Sequence, residues 1–128
     1  MEGIRVAIAG AGGRMGQALI GATLAQPGLT LASALDVEGS SALGRDAGAG
    51  AGRVTGVVVG HDIDAALARA DVLVDFTRPE GTLRHLAACA RHRTAAVVGT
   101  TGLSDAQKAT LADHARTIPV VFAANMSV

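Results

Sequence analysis

The sequence predicts an α/β fold built on a doubly wound, mainly parallel sheet. Three observations predict it. Short apolar runs rich in Val, Ile and Ala alternate with helical patterns along the chain. The loops between them are short. The first run meets a cluster of glycines that opens directly into a helical pattern. At 128 residues the chain is long enough for one domain with a real core. It is 49% hydrophobic but only 2% aromatic, so that core must be made of Val, Leu, Ile and Ala, with Ala-rich helices lying close on a Val-rich sheet.

Taken in order, the β-branched run at 5–9 reads as a strand broken by Gly10, and 14–25 reads as the helix that follows it. A second strand is predicted at 30–35. Residues 39–56 are rich in glycine and alanine with no period, and are expected to be a mobile surface loop without chemistry. A strand at 57–59, a helix at 63–68 and a strand at 72–76 follow. Thr77-Arg-Pro-Glu80 reads as a capping box with Pro79 in the first turn of a helix over 79–91. After a strand at 95–98, Ser104-Asp-Ala-Gln107 reads as a second capping box, opening a helix over 105–115, and the last strand is predicted at 120–123.

Composition excludes several classes of function. Eleven basic and eleven acidic residues cancel, with no basic run, so electrostatics gives nucleic-acid binding no support. No apolar stretch approaches the roughly 18 residues of a membrane span. The first strand begins almost at Met1 and is broken by Gly10, so no signal peptide is expected. A single cysteine, Cys89, excludes an internal disulfide and fits a reducing compartment, and a cytoplasmic protein is expected.

The most informative stretch is Ile-Arg-Val-Ala-Ile-Ala-Gly-Ala-Gly-Gly-Arg-Met-Gly at 4–16. The strict G-x-G-x-x-G does not fit, but Gly10-x-x-Gly13-x-x-Gly16 does, with Gly12 as an extra glycine. Gly10 would make the bend, Gly12 or Gly13 would let the backbone approach phosphates, and Gly16 would let helix and strand pack closely. That is the layout of a dinucleotide-binding turn, in which free N–H groups at a helix start face a pyrophosphate. A β-branched residue at position 13 is expected to fill the phosphate space and to strain the turn.

The other strand ends fall at the same edge: Asp36, Thr77-Arg78, Gly99-Thr100-Thr101-Gly102 and Ala123-Ala124-Asn125-Met126. Asp36 lies 20 residues after Gly16, where an acid can accept hydrogen bonds from ribose hydroxyls. Its charge should repel a 2′-phosphate, which favours NADH over NADPH, although Arg14 at the helix start could meet a phosphate or simply be solvated. Thr100 and Thr101 read either as turn residues or as hydroxyls beside a nicotinamide ribose. Phe76 and Arg78 could flank an adenine, with core packing an equal alternative for Phe76. His61, His85, His92 and His114 show no metal spacing with one another or with Cys89 and read as structural or solvent-facing. Lys108 reads as a surface residue. No nucleophile–base pair and no catalytic acid is visible.

With Val-Ala-Ile-Ala-Gly-Ala-Gly-Gly-Arg-Met-Gly at 6–16, Asp-Phe-Thr-Arg-Pro-Glu-Gly-Thr-Leu at 75–83, Val-Gly-Thr-Thr-Gly at 98–102 and Phe-Ala-Ala-Asn-Met-Ser-Val at 122–128, the chain resembles the dihydrodipicolinate (4-hydroxy-tetrahydrodipicolinate) reductases of the diaminopimelate route to lysine. The resemblance implies a Rossmann-type fold and NAD(P)H contacts from Gly10, Ala11, Gly12, Gly13, Arg14, Met15, Asp36, Gly99, Thr100, Thr101, Ala123, Ala124, Asn125 and Met126. Members often carry an arginine after the ribose-binding acid. Here that position is Val37, which again favours NADH. The resemblance also implies a second domain bearing the substrate-binding sheet, a His-His and Lys motif and much of a tetramer interface. Residues 1–128 are then the cofactor domain of a homotetrameric reductase, with no catalytic residue or metal ligand and no activity alone. The alternative is a free-standing NAD(P)-binding regulatory or redox-sensing module. Paired histidines and a lysine encoded after residue 128 would separate the two.

Overall fold

The first apolar run forms β1 (Ile4–Ala9) at the centre of a six-stranded sheet, where both of its faces are covered and Val6, Ala7, Ile8 and Ala9 are all buried. The computed structural model describes residues 3–123. The other strands are β2 (Leu29–Leu35), β3 (Val59–Gly60), β4 (Val72–Asp75), β5 (Ala95–Val98) and β6 (Val120–Phe122), and the helices are α1 (Arg14–Ala25), α2 (Ile63–Leu67), α3 (Pro79–His92) and α4 (Asp105–His114). The strand order is β3-β2-β1-β4-β5-β6 and every adjacent pair is parallel. This is the doubly wound arrangement, with its crevice where β1 gives way to β4.

Alternate residues of each strand serve opposite faces. Ala7 and Ala9 join Leu73, Ala96 and Val98 in a cluster closed by Leu67 of α2, Leu86 and Cys89 of α3 and Leu111 of α4. Val6 and Ile8 join Leu31, Ala34 and Val59 in a second cluster under Ile20 of α1. Among the described residues, the buried part of the α1 face lies over β1, β2 and β3. Register places Val97 of β5 and Val121 of β6 on that face, and Val121 is 59% exposed. Cys89 is fully buried on α3, and burial, with the nearby Asp75 charge, pushes its thiol up to about 12. Among the described residues no helix is long and apolar enough to cross a membrane.

Two local expectations are corrected. The capping box at Ser104 forms as expected, with Ser104 Oγ accepting from the Gln107 N–H at 3.1 Å and Gln107 Oε1 accepting from the Ser104 N–H at 2.8 Å. The one at Thr77 does not. The helix starts at Pro79, so Arg78, which has no capping oxygen, is the N-cap of α3, and Thr77 one residue earlier donates its hydroxyl to Asp75 Oδ1 at 2.6 Å.

The segment 39–56 is a hydrogen-bonded structure rather than a free loop. The Asp46 carboxylate accepts from the N–H groups of Gly48 (2.8 Å), Thr55 (3.0 Å) and Gly56 (2.9 Å) and from the Thr55 hydroxyl (2.7 Å). These bonds hold its carboxyl far below the usual range. Asp46 also bridges Val58 in antiparallel sense, and the adjacent Ala47 is buried under α1. Gln17 of α1 donates to the Ala11 carbonyl at 2.7 Å and to the Ala47 carbonyl at 3.3 Å, tying this segment to the glycine turn.

Candidate functional site

A cavity opens along the carboxyl edge, lined by the turn after β1, the ends of β2 and β4, and the first two turns of α3. The turn after β1 is held from several sides. Gly10 has φ +78°, which an L side chain rarely adopts. The Ala11 N–H donates to the Leu35 carbonyl at 2.8 Å, and the Gly13 N–H donates to the Gly10 carbonyl at 3.0 Å. Gly16 packs α1 on the turn so closely that a Cβ there would stand 2.0 Å from the Gly10 carbonyl oxygen.

Gly12 and Gly13 separate cleanly. A Cβ at Gly12 would stand 2.4 Å from Asp36 Oδ2, so glycine is required there by the protein itself. At Gly13 a Cβ would meet only the Gly10 carbonyl oxygen, at 3.5 Å, an ordinary contact. Gly13 has φ −84° and ψ 172°, so the expectation that a larger residue would strain the turn is corrected. Gly13 is also the N-cap of α1, which has no side-chain cap, and Arg14 and Met15 beside it line the cavity and are exposed. A helix start that lacks a capping side chain, beside a position where a Cβ would find open space, fits an anionic group.

Asp36 ends β2 facing this turn. Its Oδ2 accepts from the Gly12 N–H at 2.9 Å and the Ser40 hydroxyl at 3.1 Å, and its Oδ1 accepts from the Val37 N–H at 2.8 Å. The acid therefore clamps the glycine turn to the end of β2, and with a carboxylate's capacity for about four acceptor contacts it keeps room for one more donor. Val37 is 67% exposed beside it, with Glu38 next along the rim.

The end of β4 contains what sequence reasoning missed. Asp75 is 1% exposed and accepts from the Thr77 N–H at 2.9 Å, the Thr77 hydroxyl at 2.6 Å and His85 Nδ1 at 2.6 Å. Burial pushes its carboxyl up, but the His85 hydrogen bond and charge, joined by Thr77, outweigh this and hold it below the ordinary value. The pair is ten residues apart, and only the packing of α3 back on β4 joins it. The available signal was an acid at the last position of a buried strand, where an unpaired carboxylate is costly.

The hydroxyl network continues inward. Thr82 Oγ1 and Thr100 Oγ1 share a hydrogen bond of 2.6 Å, both fully buried. Thr100 thus turns its hydroxyl into the core and is buried as a whole. Thr101, by contrast, is exposed. Gly99 is glycine because a Cβ there would stand within 1.9–2.2 Å of the Phe76 ring, which makes Phe76 a packing residue at this loop as well as part of the cavity wall. Ala123 is half-buried, its N–H donating to the Val98 carbonyl at 2.7 Å. Ala124, Asn125 and Met126 lie outside the described residues. Arg78 lines the cavity; Lys108 is exposed on α4.

A parallel sheet in this order, with a glycine turn after its first strand and an acid after its second, defines the Rossmann class of α/β proteins. Solved structures agree on the fold: GenD2 from gentamicin A biosynthesis, in complex with NAD, is 23% identical with a TM-score of 0.74 over 98% of this chain and 35% of that one. Within that class, a family model described as dihydrodipicolinate reductase, N-terminus, matches residues 4–126, and the chain belongs to this family. A 4-hydroxy-tetrahydrodipicolinate reductase of Laribacter hongkongensis (strain HLHK9) is 56% identical over all of this chain and 48% of its own length. One from Cupriavidus metallidurans is 58% identical over 98% of this chain and 47% of its own. A dipicolinate-bound dihydrodipicolinate reductase from Paenisporosarcina sp. TG-14 is 27% identical with a TM-score of 0.70, covering 88% of this chain and 43% of that one. The chain spans about half the length of the curated relatives it matches.

Proposed function

We propose that this chain is the nicotinamide-dinucleotide-binding domain of a 4-hydroxy-tetrahydrodipicolinate reductase serving diaminopimelate and lysine biosynthesis. The observation that carries the reading is Gly13. Among the described residues no contact requires a glycine there, yet it lines the cavity at an uncapped helix start. In this reading Gly13, Arg14 and Met15 hold the pyrophosphate, and Gly10, Ala11 and Gly12 shape the turn. Asp36 accepts from the adenosine ribose. Gly99, Thr100 and Thr101, with Ala123, Ala124, Asn125 and Met126, border the nicotinamide end. NADH is favoured over NADPH, because Asp36 and Glu38 put negative charge where a 2′-phosphate would lie and Val37 offers no compensating cation.

When bound, the dinucleotide supplies a hydride for reduction of a cyclic imine dicarboxylate. This chain's residues bind and orient the cofactor. The substrate site, the proton donor and the subunit contacts belong to the second half of the longer protein. The free-standing regulatory module gains no support from relatives that are named as reductases and are about twice as long.

Calorimetric titration with NADH tests this. The chain should bind NADH saturably, and Gly13→Ala should weaken it at least about tenfold while leaving the unfolding transition in place. An unchanged affinity in Gly13→Ala would remove the glycine turn from the site.

A further inference from the structure

The Asp75–His85 pair has no part in the reading above, yet His85 lines the same cavity. With the pyrophosphate at Gly13 and the ribose at Asp36, the base must occupy what remains beyond Asp36. The rest of the cavity lining includes His61, Ile63, Phe76 and Arg78, with Gly81, Arg84 and His85 of α3.

The chemistry of the pair fixes what His85 offers there. Asp75 is buried and its carboxyl is held below the ordinary range, so it is an acceptor, and the hydrogen shared with His85 sits on Nδ1. In the neutral imidazole this leaves Nε2 as an acceptor. Nε2 makes no hydrogen bond among the described residues. No buried side-chain nitrogen or oxygen among them lacks a partner either, so Nε2 reaches accessible surface rather than the core. Gly81 leaves the imidazole edge uncovered: a Cβ at that position would stand 3.9 Å from His85 Cε1.

We propose that Asp75 fixes the tautomer and orientation of His85 so that Nε2 accepts a hydrogen bond from the 6-amino group of the cofactor's adenine, making the pair a base-selecting element. The amino group is the only N–H donor on the adenine base of a dinucleotide. A purine with a 6-oxo group sets an acceptor against Nε2 at that position and carries its N–H donor at N1 instead, out of line with Nε2. His85 is the residue in contact with the base, and Asp75 is a positioning residue that acts through it. The inference rests on the proposed dinucleotide site.

The test compares NADH with reduced nicotinamide hypoxanthine dinucleotide, which differs only in the purine, by calorimetry in mildly alkaline buffer. The unaltered chain should prefer NADH by roughly tenfold. Asp75→Asn keeps an oxygen for Thr77 but turns an amide N–H toward Nδ1. This moves the imidazole hydrogen to Nε2, so the preference should fall and tip toward the hypoxanthine form. His85→Leu should bring the two affinities together. A pair that merely anchors α3 to β4 would lower both affinities in step and leave their ratio unchanged. An unchanged ratio in both variants therefore overturns the proposal while leaving the dinucleotide site standing. If Asp75→Asn does not fold, His85→Leu decides alone. Failure of the unaltered chain to bind NADH at all would overturn the proposed function, and this inference with it.

Discussion

At residue 13 a Cβ would find only a carbonyl oxygen at 3.5 Å, whereas at residue 99 it would stand inside the Phe76 ring. Both glycines lie at the carboxyl edge of the sheet, in loops that look alike as sequence. The glycine turn presents an uncapped helix start and open space outward. The loop after β5 directs its conserving interactions inward: Gly99 accommodates an aromatic ring and Thr100 completes a buried hydroxyl pair with Thr82. A small residue at a strand end therefore marks a ligand only where the protein's own packing does not already account for it.

Stability measurements can break this comparison. Gly16→Ala should have the largest effect, because its neighbours are backbone atoms of the turn that cannot move without shifting α1. A loss of about 3 kcal/mol in urea unfolding is expected, and one under about 1 kcal/mol would refute the close packing. Gly99→Ala should cost less, about 1–3 kcal/mol, since a ring can rotate where a backbone cannot. Thr82→Val takes away the 2.6 Å partner of the Thr100 hydroxyl, leaving it only the longer bond to the Asp75 carbonyl at 3.5 Å, and should cost about 1–3 kcal/mol, with partial recovery in Thr82→Ser.

The next effect is one of pH. Asp46 has a depressed carboxyl in the folded protein, so its contribution is present above the unfolded value of about 4 and is lost as pH falls through the folded value. Asp46→Asn should therefore narrow the stability difference between neutral and acid solution; matching pH profiles would show that the ring of bonds around Asp46 contributes nothing. Gly13→Ala should change stability least, by no more than about 1 kcal/mol and in the stabilising direction, while losing dinucleotide affinity. A Gly13→Ala variant as unstable as Gly16→Ala would erase the distinction between a glycine kept for a ligand and one kept for packing.

The fold was legible because its signals are local and periodic. The four helix starts and the strand β5 (Ala95–Val98) fall where the pattern puts them, and most other ends differ by a residue or two. Failures occurred where a carboxylate competes for local donors. The Thr77 side chain had two kinds of partner within reach, the N–H donors of the helix start and the carboxylate of Asp75 two residues back, and it binds the carboxylate while the helix begins one residue later, after Arg78. The knot around Asp46 reaches nine and ten residues ahead to Thr55 and Gly56, with no period to betray it. In the site, the turn and Asp36 could be named because strand ends converge in any parallel sheet. That Asp36 also clamps Gly12, and that Asp75 meets His85, depends on side-chain reach across elements, which spacing along the chain does not encode.

The chain has one cysteine, and it is fully enclosed beneath α3 with its thiol pushed up to about 12. Attack on a disulfide reagent requires thiolate, so in the native state this sulfur is chemically silent both for want of access and for want of charge. Its labelling rate in dilute aromatic disulfide then becomes a built-in clock for the opening of α3 from the sheet.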